Sequence, residues 1–224
     1  MTSSEIPLSI EKENTNKMFS YINQYNIDLF GIADLNEFKN NTSTISPFIN
    51  NVMESFKYAI VIGAQYGKLG KKVGGNDTSM FLEKVAFELM LHLIEKEKHS
   101  ALIIHTEDEF DPINRLGLLS LKALAKAAGI GWQGRSLLIV SPKYGPIHRS
   151  IAVLTDMPLI ANNTLKNECG NCFLCVDKCP TDALKYSKFE DHPERREDVL
   201  DIAKCNGDNG CKVCIVVCPW LKKK

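Results

Sequence analysis

Apolar and polar positions along the first part of the chain switch between two periods, and the switches mark the elements. Short apolar runs suited to buried strands occur at 28–33 (Asp-Leu-Phe-Gly-Ile-Ala) and 58–64 (Tyr-Ala-Ile-Val-Ile-Gly-Ala). Ala101-Leu-Ile-Ile104 makes a third. Ser136-Leu-Leu-Ile-Val140 and Arg149-Ser-Ile-Ala-Val-Leu154 flank Lys143-Tyr-Gly-Pro146 and read as an antiparallel pair around that turn. Helical spacing appears at 13–25. It is clearest in Leu82, Val85, Leu89 and Leu93, the apolar stripe of a long helix that follows a glycine-rich loop at 67–77 and runs to about residue 98. Asp77 or Thr78 is placed to cap that helix. A further helix over 118–128 ends at Gly129, where a left-handed residue after the last turn favours glycine. The sum is an α+β domain with a mixed sheet of about five strands.

After residue 160 the pattern changes, and all eight cysteines lie beyond residue 168. Cys169, Cys172, Cys175 and Cys179-Pro180 are spaced C-x2-C-x2-C-x3-C-P, the bacterial ferredoxin spacing for [4Fe–4S] clusters. Cys205, Cys211, Cys214 and Cys218-Pro219 repeat it with a widened first gap, C-x5-C-x2-C-x3-C-P. Two glycines and two asparagines in that gap suit an extra turn. Three close cysteines supply three corners of a cubane, and the fourth, before proline, starts a helix leading away and ligates the other cluster. The expected sets are therefore Cys169, Cys172, Cys175 and Cys218 for one cluster, and Cys205, Cys211, Cys214 and Cys179 for the other. Zinc favours separated pairs of ligands, and disulfides need an oxidising compartment, so both rank behind two clusters. The chain divides into domains at 1–160 and 161–224. The charged stretch 190–201 between the cysteine runs reads as an exposed helix, and Glu107-Asp-Glu-Phe-Asp111 as a solvated loop.

Composition adds exclusions. Hydrophobic residues make up 44% of the 224, ordinary for a globular protein. No apolar run approaches the ~18 residues of a membrane span, and the polar stretch 1–16 carries no export signal, so a cytoplasmic, anaerobic setting is expected. The formal net charge of zero argues against a nucleic-acid partner. Gly129-Ile-Gly131-Trp-Gln-Gly134 spells a dinucleotide fingerprint, but a helix leads in and a strand leads out, the reverse of the required order. The glycines instead let the backbone turn sharply or lie against a flat ligand.

Ser120-Leu-Lys122, Ala127-Ala-Gly-Ile-Gly-Trp-Gln-Gly-Arg135, the apolar 137–140, Tyr144-Gly-Pro146 and Thr155-Asp156, followed by the double cysteine run, resemble the epoxyqueuosine reductase and reductive dehalogenase superfamily over residues 55–220. The resemblance implies a nitroreductase-like α+β domain that holds cobalamin, joined to a ferredoxin-like domain whose clusters feed the cobalt. It implies corrinoid contacts from Lys122, Gly131, Trp132, Gln133, Gly134, Arg135 and Arg149, with core packing the other reading of Trp132 and solvated charge that of the cations. There are departures. Arg135 and Gln133 stand where lysine and isoleucine are usual. Asp77 lacks the Tyr-His that follows the catalytic acid of the epoxyqueuosine enzymes. The chain stops shortly after Cys218, without their tRNA-binding extension.

Candidate proton donors are Tyr66, Tyr144 and Asp77, since a phenol or carboxyl group can act as a general acid. His92, on the apolar side of its helix, reads as packed, whereas His105, at a strand end, is placed to face a cleft. Four readings follow. The first is an oxidoreductase that takes electrons from a ferredoxin or flavodoxin and passes them through two clusters to cobalamin, acting on a small substrate or on another protein's corrinoid. The second puts FMN in place of the corrinoid. The third is a non-enzymatic ferredoxin-like carrier, and the fourth, ranked last, is reduction of epoxyqueuosine in tRNA.

Overall fold

In the computed structural model, the described residues are 7–40, 53–66, 75–106, 119–207 and 209–222. The chain folds as two compact units, and it crosses between them more than once. One comprises Met1–Gly129 with Arg149–Asn163, the other Ile130–His148 with Thr164–Lys224. The return near residue 163 lies close to the boundary expected at 160, but the excursion 130–148 was not visible in the sequence pattern.

The first unit is built on a four-stranded sheet of β1 (Leu29–Asp34), β2 (Tyr58–Gln65), β3 (Ala101–Ile104) and β6 (His148–Thr155), in the order β1-β2-β6-β3. β1 lies antiparallel to β2, with Leu29 opposite Gly63 and Asp34 opposite Tyr58. β3 lies antiparallel to β6, with Ala101 opposite Thr155. Ala59, Ile60, Val61 and Ile62 of β2 are fully buried in succession, so both faces of this strand are covered, which explains its unbroken apolar run.

Helices α1 (Leu8–Asn23) and α3 (Gly75–Glu95) supply much of that cover. The stripe Leu82, Val85, Leu89 and Leu93 packs into one core with Met18, Ile22, Ile60, Ile62, Ile151 and Val153. α2 (Leu35–Asn40) continues directly from β1. α4 (Leu121–Ala127) is capped by Ser120, whose hydroxyl accepts from the Ala123 N–H at 3.2 Å, and Gly129 follows it at φ +67°. The end of α4 sits directly on β1. A Cβ on Gly31 would stand 2.1 Å from the Ala128 carbonyl oxygen, so only glycine admits this approach. At β1, Asn162 pairs with Ile32 twice, its side-chain oxygen accepting and its backbone N–H donating, each at 2.8 Å.

Three expectations shift here. α1 starts at Leu8 rather than residue 13, with Pro7 ahead of it pre-set in φ. Asp77 lies inside the first turn of α3 rather than before it, so it does not cap; residues 67–74 of the expected loop, and 107–118 with the acidic run, lie outside the described residues. The strand at 136–140 does not pair with β6. Its ordered part, β5 (Ile139–Val140), pairs with β4 (Trp132–Gln133) in a separate two-stranded sheet, Trp132 opposite Val140. The sheet of the first unit is consequently four-stranded, not five.

That small sheet belongs to the second unit, with the cysteine runs. α5 (Leu174–Asp177) and α6 (Val213–Val216) are single turns that carry Cys175 and Cys214. The helical turns thus hold the third cysteine of each run, and a 3-10 turn, Pro219–Lys222, follows the last cysteine. Leu184 and Leu200 bridge antiparallel. The exposed helix expected at 190–201 reduces to a 3-10 turn at Arg196–Asp198, since Pro193 lacks the N–H a helix interior needs. No helix among the described residues is long and apolar enough to cross a membrane.

The contact at Gly31 gives a direct test of this packing. Gly31→Ala lowers stability by about 1–3 kcal/mol, the range for overpacking a close contact. Chemical denaturation of the two proteins measures it, and unchanged midpoints would contradict the approach of α4 to β1.

Candidate functional site

All eight cysteines are half-buried, and no two of them form a disulfide. The two runs make matching turns: the Cys179 N–H donates to the Val176 carbonyl at 3.1 Å, and the Cys218 N–H to Ile215 at 3.2 Å. Their electrostatics report which thiols stand together. Burial, then Cys169, Cys214 and Cys172, push the Cys175 thiol up to about 12. Burial followed by Cys205 and Cys211, with Cys179 adding to them, raises Cys214. Burial raises Cys218 as well, and the thiols that act on it are Cys169 and Cys172, from the other run. Cys179 differs. Burial pushes it up, but the backbone N–H groups of Leu184, Thr181 and Ala183 outweigh that and bring it down.

Cys218 of the second run thus feels Cys169 and Cys172 of the first, and Cys214 of the second feels Cys179 of the first. This is the arrangement that two clusters with exchanged fourth ligands require. Among the described residues, no three His, Cys, Asp or Glu side chains crowd close enough to share a single metal ion. A cubane has its irons at separate corners, each with its own thiolate, so the thiols fit it without converging on one point.

The Gly131–Arg135 segment packs on the first of these loops. A Cβ on Gly131 would lie 2.4 Å from the Val140 carbonyl oxygen, and one on Gly134 would lie 2.8 Å from the Val140 side chain and 3.6 Å from Cys169 Sγ. Asn167 ties the two together. Its amide donates to the Gln133 carbonyl at 3.0 Å, and its oxygen accepts the Cys169 N–H at 2.9 Å. Trp132 is 1% exposed and meets Trp220 edge-on, with centroids 4.7 Å apart; its Nε1 has no partner among the described residues. Arg135 is buried, its guanidinium donating to the carbonyls of Gly170, Cys172 and Ser187.

The glycines serve close backbone approach within the second unit, Trp132 takes the core-packing reading, and Arg135 donates to carbonyls of the cysteine loop. Lys122 is exposed on α4, and Gln133, half-buried, remains compatible with a ligand contact. Tyr144 is half-buried in the second unit, under Lys143 Nζ at 4.9 Å from its ring centre.

In the first unit, Tyr66 and Arg149 come together. Arg149 Nε donates to the Tyr66 phenol at 3.0 Å, and its Nη1 donates to Ser79 Oγ at 2.9 Å. Asp77 is exposed, and next to it the buried Thr78 hydroxyl has no partner among the described residues. His92 stacks on Tyr21 with centroids 4.0 Å apart, as its place on the apolar side implied. His105 stands at the surface with Nδ1 2.6 Å from a Glu83 carboxylate oxygen. The residues that sequence reasoning missed are Asn167, Ser79, Phe173 and Trp220. Only Asn167 left a signal, an asparagine two positions before a cysteine, where its side chain can take that residue's N–H.

The family model for the 4Fe-4S dicluster domain matches residues 168–221. The chain is 28% identical over 154 residues to the epoxyqueuosine reductase of Leadbetterella byssophila, covering 62% of this chain and 51% of that protein. It spans about half the length of the curated relatives it matches first. Among solved structures, it superposes on an epoxyqueuosine reductase with an epoxyqueuosine-modified tRNA stem loop at TM-score 0.70 and 21% identity, covering 95% of this chain and 66% of that one. A reductive dehalogenase whose structure suggested a mechanism for B12-dependent dehalogenation matches at TM-score 0.64 and 18% identity, over 100% of this chain and 34% of that one. The α+β fold with a C-terminal ferredoxin-like domain is shared with both. A neighbour that binds a tRNA stem loop also corrects the inference from net charge: a zero sum does not exclude a nucleic-acid partner.

One titration in the second unit follows from its packing. Burial holds the His148 imidazole down to about 4, against a smaller opposing effect of its Nδ1 contact with the Gly145 carbonyl at 3.1 Å. The unfolded chain takes up the proton below 6.5 while the folded one does not, so stability is full above that pH and falls as pH drops toward 4. Between pH 7 and 5 the loss from this group is about 2 kcal/mol. Anaerobic thermal melts across that range measure it, and His148→Gln flattens the slope; identical slopes would contradict the assignment.

Proposed function

From a chain whose sequence and fold resemble the epoxyqueuosine reductase and reductive dehalogenase superfamily, we propose an iron–sulfur oxidoreductase that takes electrons through two [4Fe–4S] clusters and uses cobalamin to reduce an electrophilic substrate. What supports the reading is that Cys218 feels Cys169 and Cys172, and Cys214 feels Cys179, across the two runs. Clusters with exchanged fourth ligands would stand close enough for a relay. When bound, a corrinoid supplies a low-potential acceptor for those electrons and a strongly reducing centre toward the substrate.

The chain's own part in the chemistry is proton delivery. Tyr66 is held by Arg149, which also donates to Ser79 and so keeps a fixed orientation. A phenol held in a fixed orientation is suited to act as general acid. Asp77, on the surface, is the weaker candidate. The curated relatives favour epoxyqueuosine in tRNA as substrate, and the dehalogenase neighbour favours a halogenated small molecule.

The test is cobalamin titration of the anaerobically reconstituted chain, followed by turnover on an epoxyqueuosine-containing tRNA stem loop and on a halogenated aromatic. Saturable binding with a base-off cobalt(II) signal supports the proposal. Tyr66→Phe then lowers turnover by about a hundredfold with cobalamin affinity unchanged. Intact clusters with no cobalamin binding would sink it, and a flavin released on denaturation would put FMN in its place.

A further inference from the structure

Arg135 carries a charge that no carboxylate among the described residues compensates. It is 6% exposed, yet its partners are neutral: Nε donates to the Cys172 carbonyl at 3.1 Å, Nη1 to Ser187 at 2.7 Å and Nη2 to Gly170. Its central carbon lies 4.3 Å from the centre of the Phe173 ring. Among the described residues, no carboxylate pairs with it. Burying a cation on carbonyl dipoles and one ring alone is costly, and such a group calls for an anion nearby.

The anion that fits is the cluster of the loop it holds. Two of its carbonyl partners, Gly170 and Cys172, lie within the run Cys169, Cys172 and Cys175, and Gly134 next to it packs against Cys169 Sγ. A cubane held by four thiolates is negatively charged, and reduction adds one more electron. A fixed positive charge beside it favours the reduced form and raises its potential, one of the levers that sets cluster potentials. We propose that Arg135 is the fixed counter-charge of the cluster bound by Cys169, Cys172 and Cys175, and a positioning residue for their loop. This rests on the two-cluster reading. It makes the two clusters unequal: the one beside Arg135 is the easier to reduce, so electrons collect there.

The fork geometry suits Arg and not Lys. A guanidinium reaches three carbonyls from one plane, whereas an ammonium keeps the charge as a point without the fork. The charge and the fork can therefore be separated by substitution.

The experiment is an EPR-monitored redox titration, with iron content, of the reconstituted full chain and its R135K and R135Q variants. The wild type is expected to hold about eight irons and reduce in two steps. In R135Q, one step falls by about tenfold in reduction constant, 59 mV for one electron, while the other stays. R135K keeps both steps but loses one cluster faster in air. Two unmoved steps in R135Q overturn the proposal, as does an R135K displacement as large as that of R135Q. R135K keeps the test decisive if R135Q loses its iron. A wild type with no iron–sulfur signal overturns the underlying reading instead, an outcome distinct from clusters whose potentials ignore residue 135.

Discussion

Two short helical turns and a pair of two-residue strands cannot hold a fold by themselves, and the second unit's other described segments are turns, 3-10 turns and isolated bridges. An isolated helix of one turn is far below the length at which helices persist in water. The buried apolar side chains of 164–222 are few, among them Val176, Ala183, Leu184 and Val199. Cys179 acts on Cys214 of the second run, and Cys169 and Cys172 act on Cys218, so clusters ligated by these sets would stitch distant stretches of chain together. Binding energy at such a centre is folding energy. The Gly131–Arg135 segment and Asn167 are fastened to the first cysteine loop.

The first unit stands on different physics. Its sheet is covered by amphipathic helices, and its core is a continuous set of aliphatic side chains. On that rigid base, the end of β2 brings Tyr66 to Arg149 of β6, with Ser79 of α3 completing the contact. A side chain held by two elements of a packed core keeps its geometry.

Much of this was legible in the sequence wherever a residue type announces its own chemistry. Cysteine spacing is a geometric statement about a cubane, and the stripe Leu82, Val85, Leu89 and Leu93 is one about a helix face. Partner choice was not legible. Residues 136–140 and 149–154 match each other as well as any two strands, but Gly131 permits an approach to Val140 that brings β4 in first. Arg135 was read toward a ligand because the family resemblance implied one. Its true partners are main-chain carbonyls, which no residue type advertises. Trp132 between glycines was open to two readings, ligand cover and core packing, and its burial against Trp220, far along the chain, favours the second.

The measurement that bears most directly on the exchanged thiols is EPR of the reduced, reconstituted protein in single cysteine-to-alanine variants. Exchanged ligation predicts that Cys218→Ala alters the same cluster signal as Cys169→Ala and Cys172→Ala, and that Cys179→Ala alters the signal shared by Cys205→Ala and Cys211→Ala. Cys218 grouping with Cys205, or eight variants that leave every signal untouched, would contradict it.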